Sequence, residues 1–122
     1  MESISELIGK IHNQDNYWLD FGNWLDDVWI RNLCTNATLQ NEPEWFNMAA
    51  EQRAFFAGVA HHIAKAKNLD VPEWVYKDQY FLDEPYFSLN AKGKLQLALL
   101  AESPQEFRVR NIFISANTLD RV

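Results

Sequence analysis

Met48 to Asn68 reads MAAEQRAFFAGVAHHIAKAKN, and the folding of this stretch decides what the rest of the chain can be. Phe55, Phe56, Val59, Ile63 and Ala66 recur at helical spacing and mark one apolar face. Ala50, Ala54, Ala57 and Gly58 form a second stripe made only of small residues. Small side chains let another element come close. A helix with two such faces packs on both sides, so the spacing predicts a long central helix, stopped at Asn68 by a residue that tolerates the turn out of a helix. The fold class that follows is all-α: a single compact domain over residues 1–122, with three to four main helices plus several one-turn helices.

Upstream, Ser3 and Glu6 stand three apart as a capping box, and Ile4, Leu7, Ile8 and Ile11 follow at helical spacing. The next stretch, DNYWLDFGNWLDDVWIRNL from Asp15, predicts a second helix with Tyr17, Trp18, Phe21, Trp24, Leu25, Val28 and Trp29 on one broad stripe. Asp20, Asn23, Asp27 and Arg31 line its other side, and Asp27 and Arg31 are spaced for an i,i+4 pair. CTNATLQN (34–41) reads as a loop or short turn. Downstream, residues 70–90 break into apolar fragments that predict one-turn helices laid over the core. AKGKLQLALLAE (91–102) resumes a helix with Leu95, Ala98 and Leu99 inward. Ser103, Pro104 and Glu106 then predict a further start with a serine cap.

All four prolines precede an aromatic residue: Pro43 before Trp45 and Phe46, Pro72 before Trp74, Pro85 before Tyr86 and Phe87, Pro104 before Phe107. Proline at the first position of a helical turn sacrifices no hydrogen bond. Each therefore reads as a knuckle that drives its aromatic inward. In SPQEFRVRNIFISANTLDRV (103–122), Val109 is predicted inward, Asn111 ends a helix, Ile112, Phe113 and Ile114 are buried, and Ser115 caps a last short helix with Leu119 and Val122. Arg108 and Arg110 lie about 200° apart on a helix, so at least one of them is expected to serve the protein's own carboxylates or carbonyls.

A chain of 122 residues with 48% hydrophobic and 14% aromatic content has material for one real core. The single cysteine, Cys34, forms no internal disulfide, which suits a reducing compartment. Neither a leader pattern nor a run of about 20 apolar residues is visible, so a cytoplasmic location is expected. Phosphate-cradling glycine motifs, a nucleophile elbow and C-x-x-C are missing from the sequence. His61 and His62 are adjacent and diverge by about 100° on a helix, so they do not chelate one ion. The carboxylate pairs Asp26/Asp27 and Asp83/Glu84 read as a helix surface and a helix start. No catalytic residue, cofactor or metal is expected.

The net charge of −6 is uneven. Residues 1–61 hold nine acids against Lys10, Arg31 and Arg53, and residues 62–122 hold eight charges of each sign. Such a front half repels phosphate backbones and attracts a basic protein. The candidate interaction residues are Asp20, Asp26, Asp27, Glu42 and Glu44, with Arg108 and Arg110 as further candidates. The alternative is a small-ligand-binding protein or enzyme, with an aromatic pocket lined by Trp18, Trp45 or Trp74 and served by His61, His62 or Arg110. A homodimer would cover the apolar excess.

Three blocks also share a frame. RAFFAGVAHHIAKAKNLDVPEWV, FLDEPYF and LALLAESPQEFRVRNIFISANTLDRV lie within roughly 70 residues from Arg53 onward. Their frame is Pro72/Trp74, then Leu82/Pro85/Tyr86/Phe87, then S-P-x-x-F-R-x-R-N-I-F from Ser103 to Phe113. It resembles a family of uncharacterised bacterial proteins whose module often follows an Xre-type helix-turn-helix domain, some of them encoded beside nucleotidyltransferase-like proteins. The resemblance implies an antitoxin-like or regulatory protein-binding module. Residues 1–50 carry no helix-turn-helix pattern, so direct nucleic-acid binding is not expected here.

Overall fold

Ser3 Oγ accepts from the Glu6 N–H at 3.1 Å while Glu6 Oε1 accepts from the Ser3 N–H at 3.1 Å, and this closed box starts α1 (Ile4–Ile11). The computed structural model describes residues 1–87, 94–115 and 118–120. Ile4, Leu7, Ile8 and Ile11 are all buried against α2 (Trp18–Trp29), which contributes Phe21, Trp24, Leu25 and Val28 to the same core. The Trp24 indole donates to the Glu2 carbonyl at 3.0 Å and ties the two helices at their open end. The predicted Asp27–Arg31 pair forms at 2.7 Å. Trp18 departs from the expected stripe: it opens the helix and is 55% exposed.

The segment read as a loop or short turn holds the five-residue α3 (Asn36–Gln40). Asp70 brackets it by accepting from the Asn36 amide at 3.2 Å and donating its own N–H to Asn36 Oδ1 at 3.0 Å. The central helix is α4 (Ala50–Ala66), with Phe56, Val59 and Ile63 buried on one side and Ala54, Ala57 and Gly58 on the other. Ala50 and Ala66, the ends of the two stripes, are exposed. Asn68 ends the helix as expected: at φ 56 it turns the chain left-handed, so that Leu69 N–H reaches Ala64 O at 2.7 Å and Asn68 N–H reaches Lys65 O at 3.2 Å.

Short 3₁₀ turns at Glu73–Tyr76 and Asp78–Tyr80 then lie over α4 and bury Trp74, Val75 and Tyr80. Three proline knuckles behave as the spacing predicts, since Trp45, Trp74 and Phe107 are at most 8% exposed. Two aromatics do not. Phe46 sits at φ 56 and stacks outside on His12, centroids 3.8 Å apart. Tyr86 is turned outward by the strand it starts.

That strand corrects the all-α expectation. The fold is mostly helical but includes a two-stranded parallel sheet, β1 (Tyr86–Phe87) against β2 (Ile112–Phe113), in register Tyr86 to Ile112 and Phe87 to Phe113. Parallel strands need a crossover, supplied here by α5 (Lys94–Glu102) and α6 (Gln105–Arg108). The cause is local. Asn111 takes φ 63 after α6, and the apolar run behind it leaves the helix extended. Tyr86 N–H then bonds Asn111 O at 2.8 Å, and the Phe87 and Phe113 rings stack at 5.0 Å.

Around the crossover the helical extrapolation fails in three places. Leu99 is buried, but Leu95 and Ala98 face outward. Ser103 does not cap α6. It is buried, accepts from the Ile114 N–H at 2.8 Å, and its hydroxyl reaches the Leu99 carbonyl at 2.5 Å. Val109 is 51% exposed, and Arg110 takes the interior position beside it. Leu119 is buried and Thr118 N–H bonds Ser115 O at 3.1 Å; Val122, the other apolar residue of the expected last helix, lies outside the described residues.

Candidate functional site

Arg110 is fully buried among α4, α6 and the first 3₁₀ turn. Its Nη1 donates to the Glu106 carbonyl at 2.7 Å and faces His61 Nδ1 at 3.1 Å, and its Nη2 donates to the Val75 carbonyl at 2.6 Å. The guanidinium stacks 4.8 Å from the Phe81 ring centre. Its charge is thus held by carbonyl dipoles, an imidazole and a π face. Burial lowers the Arg110 pKa to about 10, against the raising influence of Tyr76 and Glu106, so the group stays cationic at neutral pH. Burial first, and then the Arg110 charge, push His61 down to about 4. A neutral His61 can accept from Arg110, so the two states fit each other.

Next along α4, His62 Nδ1 stands 3.2 Å from Glu106 Oε2 and Lys65 Nζ 3.0 Å from Oε1. Burial alone would raise the Glu106 carboxyl, but a bond from its own backbone and those from Lys65 and His62 outweigh it and hold it at about 2. The two histidines thus serve different partners. Among the described residues there is no group of three His, Cys, Asp or Glu side chains placed to hold a metal.

A second knot joins the knuckles. Trp45 Nε1 donates to the Tyr80 hydroxyl at 2.7 Å, Tyr80 in turn donates to Glu42, and Lys77 Nζ reaches the other Glu42 oxygen at 2.6 Å. Trp74 Nε1 donates to the Leu39 carbonyl at 3.0 Å. Burial and the Glu42 carboxylate push the Tyr80 phenol up. Trp45, Trp74 and Tyr80 pack edge to face, 5.6–6.2 Å apart. These tryptophans are structural members, and Trp74 also borders a polar surface depression with Glu42, Asp70 and Glu73.

The expected interaction residues scatter. Asp20, Asp26 and Asp27 lie on α2, where Asp20 accepts from the Gln14 amide at 3.1 Å and Asp27 is paired with Arg31. Glu42 is engaged in the Tyr80 knot, while Glu44 is exposed. Arg108 is exposed on α6; Arg110 belongs to the interior.

The accessible relief lies elsewhere. An open groove is walled by Glu51, Asp78, Asp83 and Glu84 together with Phe81 and Tyr86, and among the described residues no basic one lines it. Glu51 and Tyr86 also form one side of a narrower cleft of about 140 Å³, whose aromatic walls are Tyr17, Trp18 and Phe55 and whose apolar remainder is Ile112 and Ile114. The Trp18 and Phe55 rings are 6.5 Å apart and nearly perpendicular. Burial, and then the neighbouring Tyr86, push the Tyr17 phenol up. Sequence reasoning saw Asp83/Glu84 only as a helix start and placed Trp18 and Tyr86 inside. The cleft joins residues from four separate stretches of the chain, and no local spacing announces it.

No family model, no curated protein and no solved structure matches this chain. No helix among the described residues is long and apolar enough to cross a membrane.

Proposed function

We propose that this chain is a non-enzymatic protein-interaction module whose partner is a basic protein, an antitoxin-like or regulatory role of the kind its C-terminal frame implies. The observation that carries the reading is the groove of Glu51, Asp78, Asp83 and Glu84. Its four carboxylates form no ion pair with any described residue, in a chain of net charge −6. Such a surface attracts a cationic partner over about a Debye length, and more strongly at low salt. The polar groups that could have served chemistry are instead engaged inside the fold: His61 by Arg110, Arg110 by backbone carbonyls, and the Glu106 carboxylate by His62 and Lys65. The α2 carboxylates Asp20, Asp26 and Asp27, with Glu42 and Glu44 apart from them, are further candidates for the same partner, partly neutralised by Arg31 and Lys77.

A second reading, a small-ligand binder, is favoured by the aromatic cleft beside Trp18. The deciding experiment is co-expression with the product of the adjacent gene, followed by calorimetry of the purified pair. Binding that weakens with added salt supports the module. No binding at low salt overturns it and moves the small-ligand reading forward.

A further inference from the structure

The groove and the cleft share Glu51 and Tyr86, so an acidic trough borders an aromatic pocket. The pocket is lined by the aromatic rings of Tyr17, Trp18, Phe55 and Tyr86, and among the described residues Glu51 is its sole charged one. Aromatic faces carry negative quadrupole potential and attract cations, most strongly where water is partly excluded. A neutral apolar side chain would gain from the walls but nothing from Glu51. An anion would be repelled by both. A guanidinium or ammonium on an aliphatic stem satisfies each wall: the stem on Ile112 and Phe55, the charge over Trp18 or Tyr17 and against Glu51. We propose that this cleft receives one arginine or lysine side chain of a basic polypeptide, whose flanking residues lie along Asp78, Asp83 and Glu84. This rests on the basic-partner reading above and gives it an anchor point.

The test is an NMR titration with an acetylated tetra-arginine peptide at low salt, read at the Trp18 indole N–H, with a norleucine peptide of the same length as comparator. The expected result is a saturable Trp18 shift with the arginine peptide and little with the norleucine peptide. Trp18→Leu keeps apolar bulk, removes the π face and weakens binding by about three-fold or more, read for this variant by calorimetry. Glu51→Gln weakens it by a similar factor and flattens its salt dependence, and it leaves the exposed Trp18 in place as the probe. Equal binding of the norleucine peptide overturns the cationic assignment. Shifts confined to Asp20, Asp27 and Glu44 overturn the cleft while leaving a basic partner in play. The absence of any shift removes both.

Discussion

Phe107 lies directly on Gly58: a Cβ added at Gly58 would stand 2.7 Å from each of two atoms of the Phe107 ring. Glycine inside a helix costs about 1 kcal/mol relative to alanine, so this contact explains why α4 carries one. The ring is wholly buried and packed on Phe55 at 5.7 Å, so it has little room to yield. Gly58→Ala gains about 1 kcal/mol of helix propensity but adds overpacking of about 1–3 kcal/mol. A net loss of stability is expected in urea unfolding. In the Phe107→Leu background the same substitution becomes neutral or favourable, and a double-mutant cycle measures the coupling.

Arg110 donates to two carbonyls and meets one imidazole, so its removal orphans Val75 O, Glu106 O and His61 Nδ1 together. Arg110→Met is expected to destabilise by about 2–5 kcal/mol, the range for breaking a buried polar cluster. Arg110→Lys does not restore stability, because an ammonium lacks the planar fork that reaches three acceptors. Arg110→Met raises the His61 pKa from about 4, since the Arg110 charge is one of the causes holding it down, whereas Arg110→Lys keeps a cation and does so less. A histidine NMR titration reads this directly.

Stability depends on pH through this cluster. Folded His61 stays neutral down to about 4, whereas the unfolded chain protonates it near the ordinary 6.5. The unfolded state therefore binds more protons in that window, and stability falls as pH drops through it. Folded Glu106 stays ionised down to about 2 against an ordinary 4.5, which extends the loss below 4.5. Urea midpoints are expected to decline steadily from neutral pH downward. His61→Gln, which can still accept from Arg110, removes the upper part of the slope and leaves the Glu106 part.

Tyr80→Phe tests the second knot. It leaves the buried Trp45 N–H without its acceptor and is expected to cost about 1–3 kcal/mol. Glu42→Gln keeps an acceptor for the Tyr80 hydroxyl and loses only the exposed Lys77 pairing, so its cost stays below about 1 kcal/mol. Chemical denaturation of the two variants side by side gives the comparison.

Features written within a few residues of one another could be read from the chain. The Ser3/Glu6 box, the Asp27–Arg31 pair and the stops at Asn68 and Asn111 all depend on neighbours one helical turn away or on one residue's own backbone preference. The small stripe on α4 announced a close contact, though not that Phe107 would make it. Helical periodicity carried past the end of α6 places Val109 inward, whereas Arg110 is the arginine that serves the protein's own carbonyls, as its spacing from Arg108 suggests. The acceptors that draw Arg110 inward lie 35 and 49 residues earlier in the chain. Ser103 misled in the same way. A serine before Pro104 fits a cap by spacing, and only the nearby Ile114 backbone makes it a stitch. The pairing of Tyr86 with Ile112 is equally non-local, so neither the small sheet nor the cleft beside it could be drawn from spacing alone.

The stitching of Tyr86 to Asn111, Arg110 to Val75 and Phe107 to Gly58 also sets an order of events during synthesis. Residues 54–87 emerge from the ribosome well before the stretch from 104 to 114 that closes over them. For that interval the glycine face of the central helix and the turns behind it stay wet and adhesive. The nascent chain should therefore be a chaperone client until about residue 114 is out, and a ribosome stalled short of that point should carry a protease-sensitive intermediate.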